Sequence, residues 1–162
     1  MIRHLLPVAL LGALLVGCDT PPVETVEGGG VATAQIDGRP YTFRVFAQPS
    51  AYDPSEVVLR AYADELSRAV MLTFRPALGA VAVNTAMTGY WDLGLCTPSD
   101  AYVVAGAGDA TVRVTEQGPR ALRGTFSLRV QREGDPTDVV AITDGTFDVE
   151  VGGEPFEYCI EG

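Results

Sequence analysis

Ala121-Leu-Arg-Gly-Thr-Phe-Ser-Leu-Arg-Val130 decides the fold class of this chain. Leu122, Phe126, Leu128 and Val130 occupy alternate positions, with Arg123, Thr125, Ser127 and Arg129 between them. Successive side chains of an extended strand point to opposite faces, so this run sends one face into a core and the other into water. The same period recurs on both sides of it. Tyr41, Phe43 and Val45 alternate with Thr42 and Arg44, and Val70, Leu72 and Phe74 with Met71, Thr73 and Arg75. Val112 and Val114 alternate with Thr111, Arg113 and Thr115, and Phe147, Val149 and Val151 with Thr146, Asp148 and Glu150. Residues 56–63 and 137–143 also read as strands. Asp37-Gly38, Gly118-Pro119, Gly134-Asp135-Pro136 and Asp144-Gly145 are turn signals between these runs. Asp64–Arg68 offers a turn or two of helix at most, and a hairpin loop is expected there. Half-buried strands of this kind suit antiparallel sheets. About eight to ten short strands at this spacing predict an all-β domain, an antiparallel β-sandwich or a partly closed β-barrel. Residues 76–108 are the least regular stretch and hold Tyr90, Trp91, Cys96 and Gly106-Ala-Gly108.

The front of the chain follows different rules. Arg3 and His4 precede an apolar run from Leu5 to Val16 that only Pro7 and Gly12 interrupt. A helix of that length rises about 18 Å, well short of the ~30 Å hydrocarbon core of a bilayer. Basic residues in front and small ones behind give the layout of a secretory signal. The run ends in Leu15-Val16-Gly17-Cys18, which resembles the bacterial lipobox. That resemblance implies a diacylglycerol group on the Cys18 thiol, cleavage before Cys18 and acylation of the new amine. Two or three acyl chains hold a protein at a membrane far better than one. The expected division is a signal over 1–17, a lipidated cysteine and flexible tether over 18–30, and one β domain over 31–162. Pro21-Pro22, scattered glutamates and Gly28-Gly29-Gly30 give the tether its composition. Asp19 stands where aspartate retains enteric lipoproteins at the inner membrane, a rule that other bacterial groups do not follow. The outer membrane or cell surface is the expected address.

Removing residues 1–17 leaves 145 of 162 residues, enough for one domain that buries roughly two-thirds of its unfolded surface. It takes away Arg3 and no acid, so 10 basic and 21 acidic side chains remain, a net charge of −11. So acidic a surface disfavours nucleic acid and anionic headgroups, and membrane contact is expected to rest on the acyl chains. The chain has no lysine, and its single histidine, His4, leaves with the signal. A Ser-His-Asp or Cys-His site, a histidine-bound zinc, a lysine Schiff base and a P-loop are therefore excluded from the mature chain. Cys96 and Cys159 form an even pair in an exported domain, which reads as a disulfide worth roughly 4 kcal/mol in the chain-entropy model. Without histidine or lysine to lower its pKa, neither is expected to be a catalytic nucleophile.

Thr111-Val-Arg-Val-Thr115, Leu122-Arg-Gly-Thr-Phe-Ser-Leu128 and Ile142-Thr-Asp-Gly-Thr-Phe-Asp-Val149 together resemble a domain of unknown function common in Bacteroidota lipoproteins. Ala34-Gln-Ile-Asp-Gly38 before an aromatic strand resembles that family's opening, with Tyr41 or Phe43 where a tryptophan is common. The likeness spans roughly residues 31–151, and the tail with Cys159 extends past the family's usual end. It implies a small β-rich domain behind a lipoprotein signal, with no catalytic residues to carry over.

Carboxylates are the one catalytic resource left, since two acids about 5–10 Å apart suffice for glycoside hydrolysis. Asp53 with Glu56, or Glu157 with Glu161, are the candidate pairs, although solvated loop charges explain them more simply. Asp135, Asp138 and Asp144 offer oxygen ligands for calcium but match no Asp-x-Asp-x-Asp-Gly loop, so no cofactor or metal is expected beyond the lipid on Cys18. Gly89-Tyr90-Trp91-Asp92 is the one aromatic surface candidate. Tyr90 and Trp91 in an irregular loop suit sugar stacking or a partner's pocket. A core role for Trp91 has the better claim, because large aromatics are highly buried on average. The expected function is a non-enzymatic binding or structural module tethered in the cell envelope, engaging a ligand, glycan or protein. A carboxylate-dependent hydrolase acting on an envelope glycan is the alternative.

Overall fold

A computed structural model describes residues 29–63, 68–92 and 101–152. Cys18 and the rest of Leu15–Cys18, the cysteines Cys96 and Cys159, and Glu157 with Glu161 lie outside the described residues. No described helix is long and apolar enough to cross a membrane.

Ten strands follow in order: β1 (Gly29–Ile36), β2 (Arg39–Pro49), β3 (Val57–Ala63), β4 (Arg68–Phe74), β5 (Gly79–Val81), β6 (Gly89–Trp91), β7 (Ala101–Val104), β8 (Ala110–Gln117), β9 (Ala121–Arg132) and β10 (Asp135–Glu150). All belong to one sheet in the order β10-β1-β2-β3-β4-β6-β7-β9-β8-β5, with β10 also paired to β9. Every strand pairing is antiparallel. The extra β9–β10 pairing turns the sheet back on itself, and the result is a partly closed barrel. Its seam is thin: β4 meets β6, β6 meets β7 and β7 meets β9 through three residue pairs each. Beyond β6 the exposed edge of β4 is closed by side chains and a single bridge. The Thr73 amide donates to Thr88 Oγ1, the Thr73 hydroxyl donates to the Met87 carbonyl, and Phe74 pairs with Val83.

The interior is built by the alternating positions. Phe43 and Val45, Leu59 and Ala61, Val70, Leu72 and Phe74, Val112 and Val114, Leu122, Phe126 and Leu128, and Ile142, Phe147 and Val149 pack as one cluster. Small residues on the β1–β3 side (Ala32, Ala34, Ala47, Ala61) share this cluster with the large rings of Phe74, Phe126 and Phe147, so the lumen is filled by side chains. Each fully buried Leu, Ile, Val or Phe contributes about 1.5–3 kcal/mol of transfer free energy. Among the described residues every buried side-chain nitrogen or oxygen has a hydrogen-bond partner.

The two Gly-Thr-Phe repeats lie against each other in opposite directions. Gly124 pairs with Phe147, Thr125 with Thr146, and Phe126 with Gly145. Each phenylalanine therefore covers the other repeat's glycine, and a Cβ on Gly145 would stand 2.7 Å from two carbons of the Phe126 ring.

Two boundaries differ from the sequence reading. Gly29 and Gly30, expected in the tether, already pair with β2, and on the other side of Gly30 the backbone of Asp148 and Val149 in β10 comes too close for any side chain. Asp144-Gly145, expected as a turn, is instead a bulge inside the 16-residue β10. The register with β9 shifts between Ile142 and Gly145, and Asp144 takes φ 51° to absorb the extra residue. Both halves of β10 remain paired to β9 and β1, so the chain has no reason to reverse there. Asp37-Gly38 is a true turn: its φ values of 48° and 77° meet the requirement of a two-residue type I′ hairpin. β3 and β4 pair antiparallel up to Ala63 and Arg68, and the hairpin loop expected at Asp64–Arg68 falls on residues 64–67, outside the described residues.

Antiparallel register sorts the chain's connections to two rims. The turn at Asp37-Gly38, the ends of β3 and β6 and the β9–β10 turn with Gly134 lie at one rim. Gly29, the 50–56 loop, the β8–β9 turn and Gly152 lie at the other. Gly29 pairs with Phe46 and the Gly152 amide donates to the Ala47 carbonyl, so both described ends of the chain leave beside the same stretch of β2.

Candidate binding face

Tyr90 and Trp91 sit side by side in sequence but part company in space. Strand β6 turns the Tyr90 ring into the barrel, where it is 2 % exposed, and Trp91 to the outer face, half-buried against Phe46, Tyr62 and Ala69. Tyr90 therefore offers no ligand a surface. Its ring lies 5.6 Å from that of Tyr102, and each hydroxyl reaches a carboxylate near the hairpin rim. Tyr90 donates to Asp92 at 2.7 Å, and Arg68 closes on the same oxygen at 3.1 Å. Tyr102 donates to Asp138 at 3.1 Å, with Arg132 at 2.7 Å from that oxygen. The Arg132 guanidinium also lies over the Tyr102 ring, and Arg68 lies over Tyr41. Burial, reinforced by Asp92, pushes the Tyr90 phenol above its ordinary 10. Burial raises Tyr102 as well, while Asp138 and Tyr102 hold Arg132 protonated. These are two phenol–carboxylate–guanidinium plugs that seal one end of the core.

Of the two candidate acid pairs only Asp53 with Glu56 lies among the described residues, and both acids are tied into local hydrogen bonds. Asp53 accepts from the Ser55 hydroxyl at 2.6 Å and amide at 2.9 Å, and Arg75 lies 3.2 Å away. The Ser55 bonds hold its carboxyl below the usual range, whereas a general acid needs one held above it. Glu56 accepts from the Asn84 amide. Asp135 caps its own turn through Thr137, Asp138 belongs to the Tyr102 plug, and Asp144 accepts from Gln35 at 2.9 Å. No described group of three His, Cys, Asp or Glu side chains is placed to hold a metal ion.

What the strands assemble on the outer face is a row of four threonine hydroxyls with Arg113 at one end. Arg113 pairs with Thr125, Thr125 with Thr146, Thr146 with Thr33 and Thr33 with Thr42. All five residues are exposed, and four strand spacings carry the row about 19 Å across β8, β9, β10, β1 and β2. Thr33 and Thr146 share a hydrogen bond of 2.8 Å, and beside the row Thr111 and Ser127 share one of 2.7 Å. The Asp144 bulge interrupts this face and has a shallow depression on each side. One, of about 460 Å³, is lined by Thr33, Gln35, Pro40, Tyr41 and Thr42. The other, of about 640 Å³, is lined by Ala80, Thr111, Arg113, Thr125, Ser127 and Thr146. Asp144 borders both. Hydroxyls donate and accept, the Asp144 carboxylate accepts and Arg113 donates, a set suited to a ligand with many hydroxyls.

Thr42, Thr125 and Thr146 were visible in the sequence as the outward members of alternating runs, and Thr33 was not. Their assembly into one row was not visible either, because it depends on the register between strands as distant as Thr33 and Thr146. No family model, no curated protein and no solved structure matches the chain.

Proposed function

We propose that this chain is a lipid-anchored module of the bacterial cell envelope that binds a hydroxyl-rich ligand of the glycan class on its outer face and performs no chemistry on it. The observation that carries this reading is the exposed threonine row flanked by the two depressions around Asp144. Leu15-Val16-Gly17-Cys18 supports the lipid anchor on Cys18, and the resemblance of residues 31–151 to a domain of Bacteroidota lipoproteins supports the same setting. Cys96 and Cys159 are proposed to form the disulfide that export permits. Among the described residues the lumen is filled by packed side chains, which favours binding over hydrolysis.

The test is calorimetry of the mature protein with purified envelope polysaccharides. Binding should be lost in Thr33→Val/Thr146→Val, which keeps side-chain shape and removes hydroxyls, and in Asp144→Asn. Equal affinity in these variants refutes the assignment to this face. Turnover of a glycan, abolished by Asp53→Asn or Glu56→Gln, refutes the non-enzymatic reading. Mass spectrometry of the membrane fraction, with Cys18→Ser as control, tests the anchor.

A further inference from the structure

Among the described residues the two most exposed large apolar side chains are Tyr52, at 84 %, and Leu78, at 69 %. They share a rim. Tyr52 belongs to the 50–56 loop, and Phe74 pairs with Val57 directly after that loop, so the connection 75–78 that carries Leu78 leaves β4 at the same end. An ion pair of 3.2 Å between Arg75 and Asp53 ties the two connections together. The 50–56 loop is also held from within. The buried Ser50 hydroxyl accepts from the Tyr52 and Asp53 amides, the Ser50 amide donates to the Glu56 carbonyl, and the Glu56 amide donates to the Asp53 carbonyl. Tyr52 is thus displayed to solvent by a loop with a defined shape.

We infer that this rim rests on the lipid bilayer to which the chain is anchored, with Tyr52 at headgroup level and Leu78 against the outermost acyl carbons. The inference stands on the lipid anchor proposed at Cys18. Gly29, where the chain from Cys18 enters the barrel, lies at this rim and pairs with Phe46 of β2. Eleven residues separate Cys18 from Gly29, at most about 40 Å of fully extended chain, so the anchor keeps this rim nearer the lipid than the opposite one. Tyrosine suits a membrane–water interface because its ring is apolar while its hydroxyl stays hydrated. Charge agrees with this orientation. The chain carries a net charge of −10, yet the connections of this rim set Asp53 and Glu56 against Arg75 and Arg120, a balance of zero. Arg120, in the exposed β8–β9 turn, supplies a guanidinium suited to a headgroup phosphate. The described turns of the opposite rim, Asp37-Gly38 and Glu133-Gly134, offer acids and no apolar side chain. The acidity that argues against a membrane surface is therefore carried elsewhere on the barrel.

The test uses the full-length protein purified from membranes and reconstituted in phosphatidylcholine vesicles with brominated acyl chains, which quench only tryptophans close to lipid. Trp91 is the chain's single tryptophan and lies at the end of β6, at the opposite rim, so the wild type supplies the background. Tyr52→Trp and Leu78→Trp should each add emission that the brominated chains quench several-fold more than the emission added by Glu133→Trp in the turn of the opposite rim. Equal quenching at the two rims overturns the inference. Flotation of the same vesicles separates the two readings. Wild type that fails to float with them refutes the anchor and this inference with it. Wild type that floats while Tyr52→Trp and Leu78→Trp stay unquenched overturns the rim contact alone.

Discussion

Gly124→Ala puts the interlocked repeats to the test. A methyl group at Gly124 would lie 2.5 Å from Cζ of Phe147 and still closer to the Arg113 carbonyl oxygen. Ordinary contacts begin near 3.4 Å, so the ring must retreat by almost an ångström. Its room is limited, because the Phe74 and Phe126 rings lie 6.1 and 6.5 Å from it, centroid to centroid. The Arg113 carbonyl is backbone inside β8 and cannot swing aside. Overpacking of a core costs about 1–3 kcal/mol. Replacing a glycine in a strand interior returns roughly 0.5–1 kcal/mol of backbone entropy. The net expectation is a destabilisation of about 1–2 kcal/mol. With a urea slope near 2 kcal/mol/M for a domain of this size, the unfolding midpoint should fall by about 0.5–1 M at unchanged slope. Phe147→Leu shortens the group that collides, so Gly124→Ala should cost less in that background, with a coupling of about 0.5–1 kcal/mol across the double-mutant cycle. A midpoint that stays level or rises in Gly124→Ala refutes the reasoning, since the glycine would then serve neither the ring nor the carbonyl.

The remaining expectations concern a turn and two titrations. Gly38→Ala forces a side chain into φ 77° in the β1–β2 turn and should lower stability by about 1–2 kcal/mol by urea unfolding. Tyr90 has a folded pKa above its ordinary 10, so its contribution is complete below pH 10 and is lost as pH rises beyond that, when only the unfolded chain ionises readily. The urea midpoint of the wild type should therefore decline above pH 10, and Tyr90→Phe should show a shallower decline. Asp135 is the opposite case: Thr137 lowers its folded pKa, so its contribution is present above the ordinary carboxylate range and is lost as pH falls through the folded value. Asp135→Asn should flatten the loss of stability on acidification below about pH 4, measured by the thermal midpoint against pH.

Long alternating runs were legible because each carries its own period. The Leu122–Val130 run became the middle of β9, and the runs around Phe43, Leu72 and Val112 became β2, β4 and β8. The three-residue strands β5 and β6 were not legible, since three residues hold no measurable period and exist only because a neighbour pairs with them. Asp144-Gly145 misled for a related reason. A residue with positive φ beside a glycine has the same local chemistry in a hairpin turn and in a bulge, and only partners on both sides of β10 tell them apart. The aromatic pair showed the limit at single residues: strand parity demanded that Tyr90 and Trp91 face opposite ways, but which of them entered the lumen was decided by Val70 and Tyr102 across the sheet. The threonine row is wholly a product of register.

The position of β1 has a mechanical consequence. Along its length β1 is bonded to β2 on one side and β10 on the other, and it begins at Gly29, where any anchored leader would pull. A tug along the strand axis does not peel hydrogen bonds one after another from an edge. It loads both ladders in shear, so the bonds resist together. A barrel dragged by its leader under flow should therefore hold its shape until the load reaches the scale at which two whole ladders slip at once.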